Sequence, residues 1–352
     1  MSTTITSGIT DGATVLTSRL KSVRATTTKP YVQVRVEAPG ETYYEERMSA
    51  YNGEVVIDDF GELVHQILLE RGKMYDTIYL TIDDIKITFT AIACDYDLPT
   101  GFDPEECFLT AADSSLVHPN ATISLSHCYN ANDYVLQVVG FDETGKLCAT
   151  SPLTIENNSD TLTLAVEDVI KYAKGETDAE SGVILERVTH FAISMGSAHK
   201  VYYIFESPFF LRFEFRNMFY ALETIDIPCK WTRKTDVTRE LSISKGVATQ
   251  YDYNIEKTYD VETGPLSVDQ MRELEQLAAS RQVSILTGCN KYSVVITDHT
   301  IEYSNDDDTL QTAKFTFRFA DKMPRLFEIE APKSLKAPAD EVFSQEFSNE
   351  YL

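Results

Sequence analysis

Apolar residues along this chain fall mostly at every second position, the period of a strand with one buried face. Val32, Val34 and Val36 alternate with Gln33, Arg35 and Glu37 before a turn at Ala38-Pro39-Gly40. Residues 78–92 read as a hairpin turning at Asp83-Asp84, with Ile85, Ile87 and Phe89 on its buried face. Leu211, Phe213 and Phe215 oppose Arg212, Glu214 and Arg216, a strand with one wet face. In three places the period lengthens toward 3.6 and predicts a helix. The first begins at Asp59, with Glu62 at capping-box spacing, and the second covers residues 166–174. The third, residues 267–280, carries a capping box at Ser267 and Gln270, staple positions at Leu266 and Met271, and a stripe of Met271, Leu274, Leu277 and Ala278.

These elements recur. The stretch from Tyr31 to Asp95 and the stretch from Tyr134 to Glu206 both read strand, turn, strand, strand, short helix, hairpin. With one gap, Phe60, Leu63, Val64 and Ile67 fall opposite Val166, Val169, Ile170 and Ala173, so one apolar stripe repeats in one place. The expected plan is an N-terminal arm over 1–29, a first β-module over 30–97 and a Pro/Asp/Ser-rich connector over 98–130. A second module over 131–206, a β-sandwich or barrel domain over 207–331 and an acidic tail over 332–352 complete it. The arm is Ser/Thr-rich and reads as disordered when alone, ordered by a neighbouring subunit. Further strands are expected at 223–227, 239–244, 249–261, 293–297 and 314–320. The fold class is mainly β: tandem small sandwich-like modules, each with one short helix, then a sandwich or barrel with one packed α-helix.

At 352 residues the chain fits two or three domains. It holds 19 Tyr and 18 Phe against one Trp, which favours strands. The 31 basic and 55 acidic residues leave a formal charge of −24, a field that repels nucleic-acid phosphate. Sequence-specific nucleic-acid binding is disfavoured, whereas an acidic lining of a DNA conduit would suit such a surface. The six cysteines show no C-x-x-C spacing and read as free thiols, not as disulfides or zinc ligands. No apolar run is long enough to cross a bilayer and the N-terminus lacks a signal-peptide core, so a soluble protein made in a cytoplasm is expected.

Enzyme signatures are sparse. The string around His65 has no second His at i+4, and His65 reads as a surface helix residue. Asp306-Asp307-Asp308 lacks the alternation of a calcium loop and reads as a hairpin turn. There is no G-x-S-x-G, Walker loop or G-x-G-x-x-G. Paired carboxylates are the one signature a single acidic sequence leaves open. Trp231, Tyr251, Tyr253 and Tyr259 suit a sugar platform or, as alternating aromatics on a strand, core and cross-strand pairs. No catalytic, cofactor or metal residues are assigned, and a non-enzyme is expected.

Residues 205–320 carry a resemblance in ESPFFLRFEFRNMFYALETI, TRELSISKGVATQYDYNIEKTYDVETGPLSVDQMRELEQLAAS and SILTGCNKYSVVITDHTIEYSNDDDTLQTAKFTFRFAD. Upstream, Asn52-Gly53-Glu54-Val55-Val56-Ile57-Asp58 also fits. With these pieces the chain resembles a tail and baseplate structural protein family of Bacteroides phages and prophages over most of residues 31–325. It departs from that family in having Tyr292-Ser293 where a Pro often precedes the "VVITD" strand. The resemblance implies a virion structural protein assembled in the bacterial host cytoplasm, a tail-tip, baseplate or tail-ring component. Its partners would be copies of itself in a ring and other tail proteins. The third domain is similar in outline to tail-tube and distal-tail ring domains, an analogy of fold. The rival reading is a carbohydrate- or host-surface-binding β-protein.

Two surfaces are expected to make the contacts. Helix 267–280 should present Arg272, Glu273, Glu275 and Gln276 to a neighbouring subunit. In the tail, Phe343, Phe347 and Tyr351 recur every four residues and would share one helical face in a docking peptide; a frayed acidic terminus is the other reading.

Overall fold

The computed structural model describes residues 3–99, 101–128, 134–155, 161–173, 188–245, 247–288, 290–302 and 311–321. The tail over 332–352 and the Asp306–Asp308 turn lie outside them.

The first module contains β1 (Thr3–Ser7), β2 (Thr14–Leu16), a 3-10 turn (Thr17–Arg19), β3 (Val23–Thr27), β4 (Tyr31–Ala38), β5 (Glu41–Ser49), β6 (Glu54–Ile57), α1 (Phe60–Glu70), β7 (Tyr75–Ile82) and β8 (Ile85–Ile92). A five-stranded sheet, β2-β8-β7-β4-β5, faces a small sheet, β1-β3-β6. Val32, Val34 and Val36 point between the layers and meet Phe60, Val64, Ile67, Ile78, Leu80 and Phe89. Helix α1 lies close against the 3-10 turn. A Cβ on Gly61 would sit 2.0 Å from the Leu20 carbonyl oxygen, so only glycine fits there.

The second module contains β9 (Ser114–Val117), β10 (Thr122–Ser126), β11 (Tyr134–Phe141), β12 (Leu147–Ile155), β13 (Thr161–Ala165), α2 (Val166–Ala173), β14 (His190–Met195) and β15 (Ala198–Ile204). Its sheet order is β12-β11-β14-β15-β9, with β10 paired to β13. Read from the other edge this is β9-β15-β14-β11-β12, the order of the first module strand for strand. Both end strands pair in parallel, β2 with β8 and β9 with β15. Both small pairs, β3–β6 and β10–β13, are antiparallel. The helix follows the same strand in each module, and the two copies share one topology, with β1 added to the first.

That topology corrects two expected boundaries. Residues 1–29 are no arm: they contribute β1 to β3, and Leu20, Val23 and Ala25 lie in the first module's core. The connector over 98–130 likewise supplies β9 and β10, and Phe108, Val117, Ile123 and Leu125 are buried in the second core. The first module takes β1, β2 and β3 from residues 1–29 and the second takes β9 and β10 from residues 98–130, and without them neither module's sheets are complete.

The third domain is a closed barrel of β16 (Phe210–Arg216), β17 (Leu222–Ser244), β18 (Val247–Thr263), β19 (Val283–Thr287), β20 (Asn290–Ile301) and β21 (Ala313–Phe319), in the order β16-β17-β18-β21-β20-β19. Strand β19 pairs back onto β16 and closes it. Helix α3 (Val268–Ala279) covers the core with Met271, Leu274 and Leu277 against Phe213, Phe215, Phe315 and Phe317. Its capping box is present: Gln270 N–H donates to Ser267 Oγ at 3.4 Å, and Ser267 N–H to Gln270 Oε1 at 2.9 Å. The box expected on α1 is absent. Asp59 is left-handed, with φ 52° and no capping bond, because the chain enters that helix from a strand that leaves Phe60 N–H on the Lys21 carbonyl.

Candidate interaction surface

Two sequence-predicted strands, 223–227 and 239–244, are one strand of 23 residues in β17, paired with β18 along almost its whole length. Strand β16 pairs with β17 only from Leu222 to Pro228, and β21 pairs with β18 only from Tyr259 to Glu262. Among the described residues the hairpin from Thr232 to Thr258 therefore pairs with itself alone, an arm roughly 40 Å long at the rise of a strand.

The arm's two faces differ. Direct cross-strand partners share a face, so Val237 with Ile255, Arg239 with Tyr253, Leu241 with Gln250 and Ile243 with Ala248 continue the face that carries Trp231 and Tyr259 into the barrel. Tyr251 is the extra residue where the register shifts. Here the face leaves the core, and Ile243 is 77% exposed, Leu241 61% and Tyr253 59%. Its charged residues are Arg233, Arg239 and Lys257, and it holds no acidic residue. All four carboxylates of the arm, Asp236, Glu240, Asp252 and Glu256, lie on the opposite face. There Asp236 opposes Glu256 and Glu240 opposes Asp252, like-charge pairs that weaken an isolated ribbon. A two-stranded ribbon is marginal in water. This one adds an uncovered apolar face.

The expected aromatic platform divides along the same line. Tyr259 is buried, stacked on Phe317 at 5.0 Å between centroids and edge-on to Trp231 at 5.7 Å. Tyr251 and Tyr253 remain outside on the arm, with the Tyr251 hydroxyl bonded to Glu240.

Helix α3 presents only half of its expected contact set. Arg272 and Glu275 are exposed. Glu273 and Gln276 are buried inside the chain, a correction to their reading as outward residues. Gln276 Oε1 accepts from Met218 N–H at 2.9 Å, and Glu273 meets the second module. The helical period showed one apolar stripe; it did not show that β9 lies along the polar flank. Ser114 Oγ donates to Asp269 at 2.9 Å and Ser115 Oγ to Glu273 one turn later. Phe343, Phe347 and Tyr351 lie outside the described residues.

The junction between the second module and the barrel is polar and buried. Arg212 donates to Asp226 through Nε at 2.5 Å and Nη2 at 3.1 Å, and His118 N–H reaches the same carboxylate at 2.8 Å. Lys200 Nζ lies 2.6 Å from Glu223 Oε1 and 3.2 Å from Glu273 Oε1. The two carboxylates raise the Lys200 pKa against the opposing effect of burial, while burial raises that of Glu273. His65, read as a surface residue, is also buried: Nδ1 meets Thr17 Oγ1 at 3.1 Å and Nε2 meets Asp95 at 3.0 Å. Cys94, Cys107, Cys128 and Cys229 are free thiols. Among the described residues no three His, Cys, Asp or Glu side chains gather as a metal-holding group, and no helix is long and apolar enough to cross a membrane.

No family model and no curated protein matches the chain. Among solved structures it is similar to the calcium-binding domain CBD12 of CALX1.1, at 12% identity over 56% of this chain and 79% of that one, with a TM-score of 0.15. It is similar also to the FN1–FN3 domains of chicken CNTN1, at 11% identity over 64% of this chain, TM-score 0.15, and spans 65% of that chain, just under two thirds. A third is Dpr2 Ig1–Ig2 in complex with DIP-Theta Ig1–Ig3, at 8% identity over 91% and 90% of the chains and a TM-score of 0.20. Likeness at these scores carries no argument about function.

Proposed function

We propose that this protein is a structural component of a phage tail, at the tip, baseplate or tail ring, that assembles with copies of itself through the barrel's long arm. The observation that carries the reading is the arm's face, apolar and positively charged, on a chain whose formal charge is −24. Residues 232–258 hold five Lys and Arg against four Asp and Glu, so the rest of the chain carries −25. A cationic, apolar ribbon on an anionic body is complementary to the body of another copy. Docking there would cover the apolar residues and add the packing that a lone ribbon lacks. The acidic remainder suits a wall along which DNA passes without being held. The phage context rests on the sequence resemblance.

Electron microscopy and light scattering of the purified full chain test the self-assembly. The expected result is a closed oligomer that loosens as salt screens the charge pairing. Ile243→Asp together with Tyr253→Asp should leave a folded monomer. A wild-type chain that stays monomeric at high concentration and low salt overturns the reading. For the rival, a glycan-binding protein, Tyr251 and Tyr253 are the supporting observation. Oligosaccharide binding lost in their alanine variants, with no self-assembly, would favour it.

A further inference from the structure

Where the second module meets the barrel, a buried lysine lies between two buried glutamates, and nothing in the assembly reading uses them. Lys200 and Glu273 are each 1% exposed and Glu223 is 3% exposed. They come from three separate elements, β15, α3 and β17. As an ionic group the three bury one positive and two negative charges away from water, an arrangement that is costly. The oxygens of the two glutamates are held unequally. Glu223 Oε2 accepts from Ala111 N–H at 2.9 Å and from Asn217 Nδ2 at 2.9 Å, while its Oε1 faces Lys200 Nζ. Glu273 Oε1 accepts from Ser115 Oγ and faces the same Nζ, but its Oε2 is buried without a hydrogen-bond partner among the described residues.

We propose that this cluster is a self-modifying site, in which Lys200 and Glu273 condense to an amide that joins the second module covalently to the barrel. The reacting amine and carboxyl are already adjacent and water is excluded, the two conditions that favour condensation over hydrolysis. Glu223, held by Ala111 and Asn217, takes a proton from the ammonium and frees the amine to attack Glu273 Cδ. Ser115 donates to Oε1 and supports the charge that develops there. The Nζ–Cδ bond forms and the Cδ–Oε2 bond breaks. Two of the three ammonium protons leave with Oε2 as water, one of them by way of Glu223, which returns to carboxylate. One proton stays on the amide nitrogen, and no oxidant or cofactor is consumed. The product removes one positive and one negative charge from the interior. Glu223 then remains with its two protein donors.

The mass of the purified full chain, unfolded in denaturant, decides the matter. The expected value is the sequence mass less one water, with a protease digest containing one branched peptide that links residues 200 and 273. Glu273→Ala and Lys200→Met should each show the full mass of their sequences. Glu273→Gln should lose ammonia and arrive at the same final mass as cross-linked wild type. A folded wild-type chain that retains its full mass after prolonged incubation overturns the proposal and leaves the cluster an ionic contact.

Discussion

Phe60 and Val166 hold the same place in two copies of one module. The N–H of each, at the first residue of its helix, donates to a carbonyl just before the module's small-sheet strand: Lys21 O at 3.2 Å and Ala121 O at 2.9 Å. The shared bond fixes each helix against the same strand pair. Phe60, Val64 and Ile67 lie in the first core, and Val166 and Val169 lie in the second.

Phe60 is wholly buried, with its ring 6.1 Å from that of Phe89. Phe60→Ala is expected to cost about 3–5 kcal/mol. It should lower the denaturant midpoint and strip hydrogen-exchange protection from residues 31–92, while the barrel strands keep theirs. Loss of protection in the barrel first would contradict the assignment of Phe60 to its own core.

Helix α3 offers a graded test of the barrel. Removing the cap with Ser267→Ala should cost about 1 kcal/mol. Leu274→Asp places an unpaired carboxylate where Leu274 is 1% exposed, a cost of several kcal/mol that should unfold the domain. Circular dichroism melts of the two variants give the comparison.

Asp83 makes the attachment of the first strand sensitive to acid. Burial alone would raise its pKa, but Gln33 N–H, the Lys29 ammonium and the Thr3 hydroxyl together hold it below the ordinary carboxylate value. A depressed folded pKa contributes stability that is fully present above the unfolded value of about 3.9 and lost as pH falls through the folded one. The thermal midpoint should therefore drop on acidification below about pH 4. Asp83→Asn should be less stable than wild type at pH 7 and show a flatter acid dependence; equal slopes would remove Asp83 from the effect.

Arg272 and Glu275 are the exposed residues of α3's contact set. Reversing both charges should change stability by no more than about 0.5 kcal/mol. If this face meets a neighbouring copy, the same variant forms fewer oligomers by light scattering. Unchanged oligomer formation would confine assembly to the arm.

The modules were legible because a repeated stripe of Phe60, Leu63, Val64 and Ile67 with its counterpart carries a period that burial on one face imposes. Their leading strands were not. Strand β2 has three residues and β9 four, too few for a period to show against Ser/Thr-rich surroundings. The arm escaped for the opposite reason. Residues 232–238, TRKTDVT, are largely polar and exposed on both sides of the strand, and the alternation that marks a strand weakens there. The legible clue was the want of a Gly or Asn turn between Ile227 and Ser244.

Local order was set by the sequence itself: alternation in the strands, the 3.6-residue stripes of the helices and the reciprocal cap at Ser267 and Gln270 all act between neighbours in the chain. The tertiary structure decided which polar residues are interior. Lys200, Glu223 and Glu273 are separated by as many as 73 residues: Glu273 stands beside its helix's apolar stripe, whereas Lys200 alternates in phase with Ala198 and Tyr202, and Glu223 with Ile225 and Ile227. Only the docking of β9 and β15 onto α3 and β17 takes them from water, because burial depends on what packs against a face and not on the period that creates it.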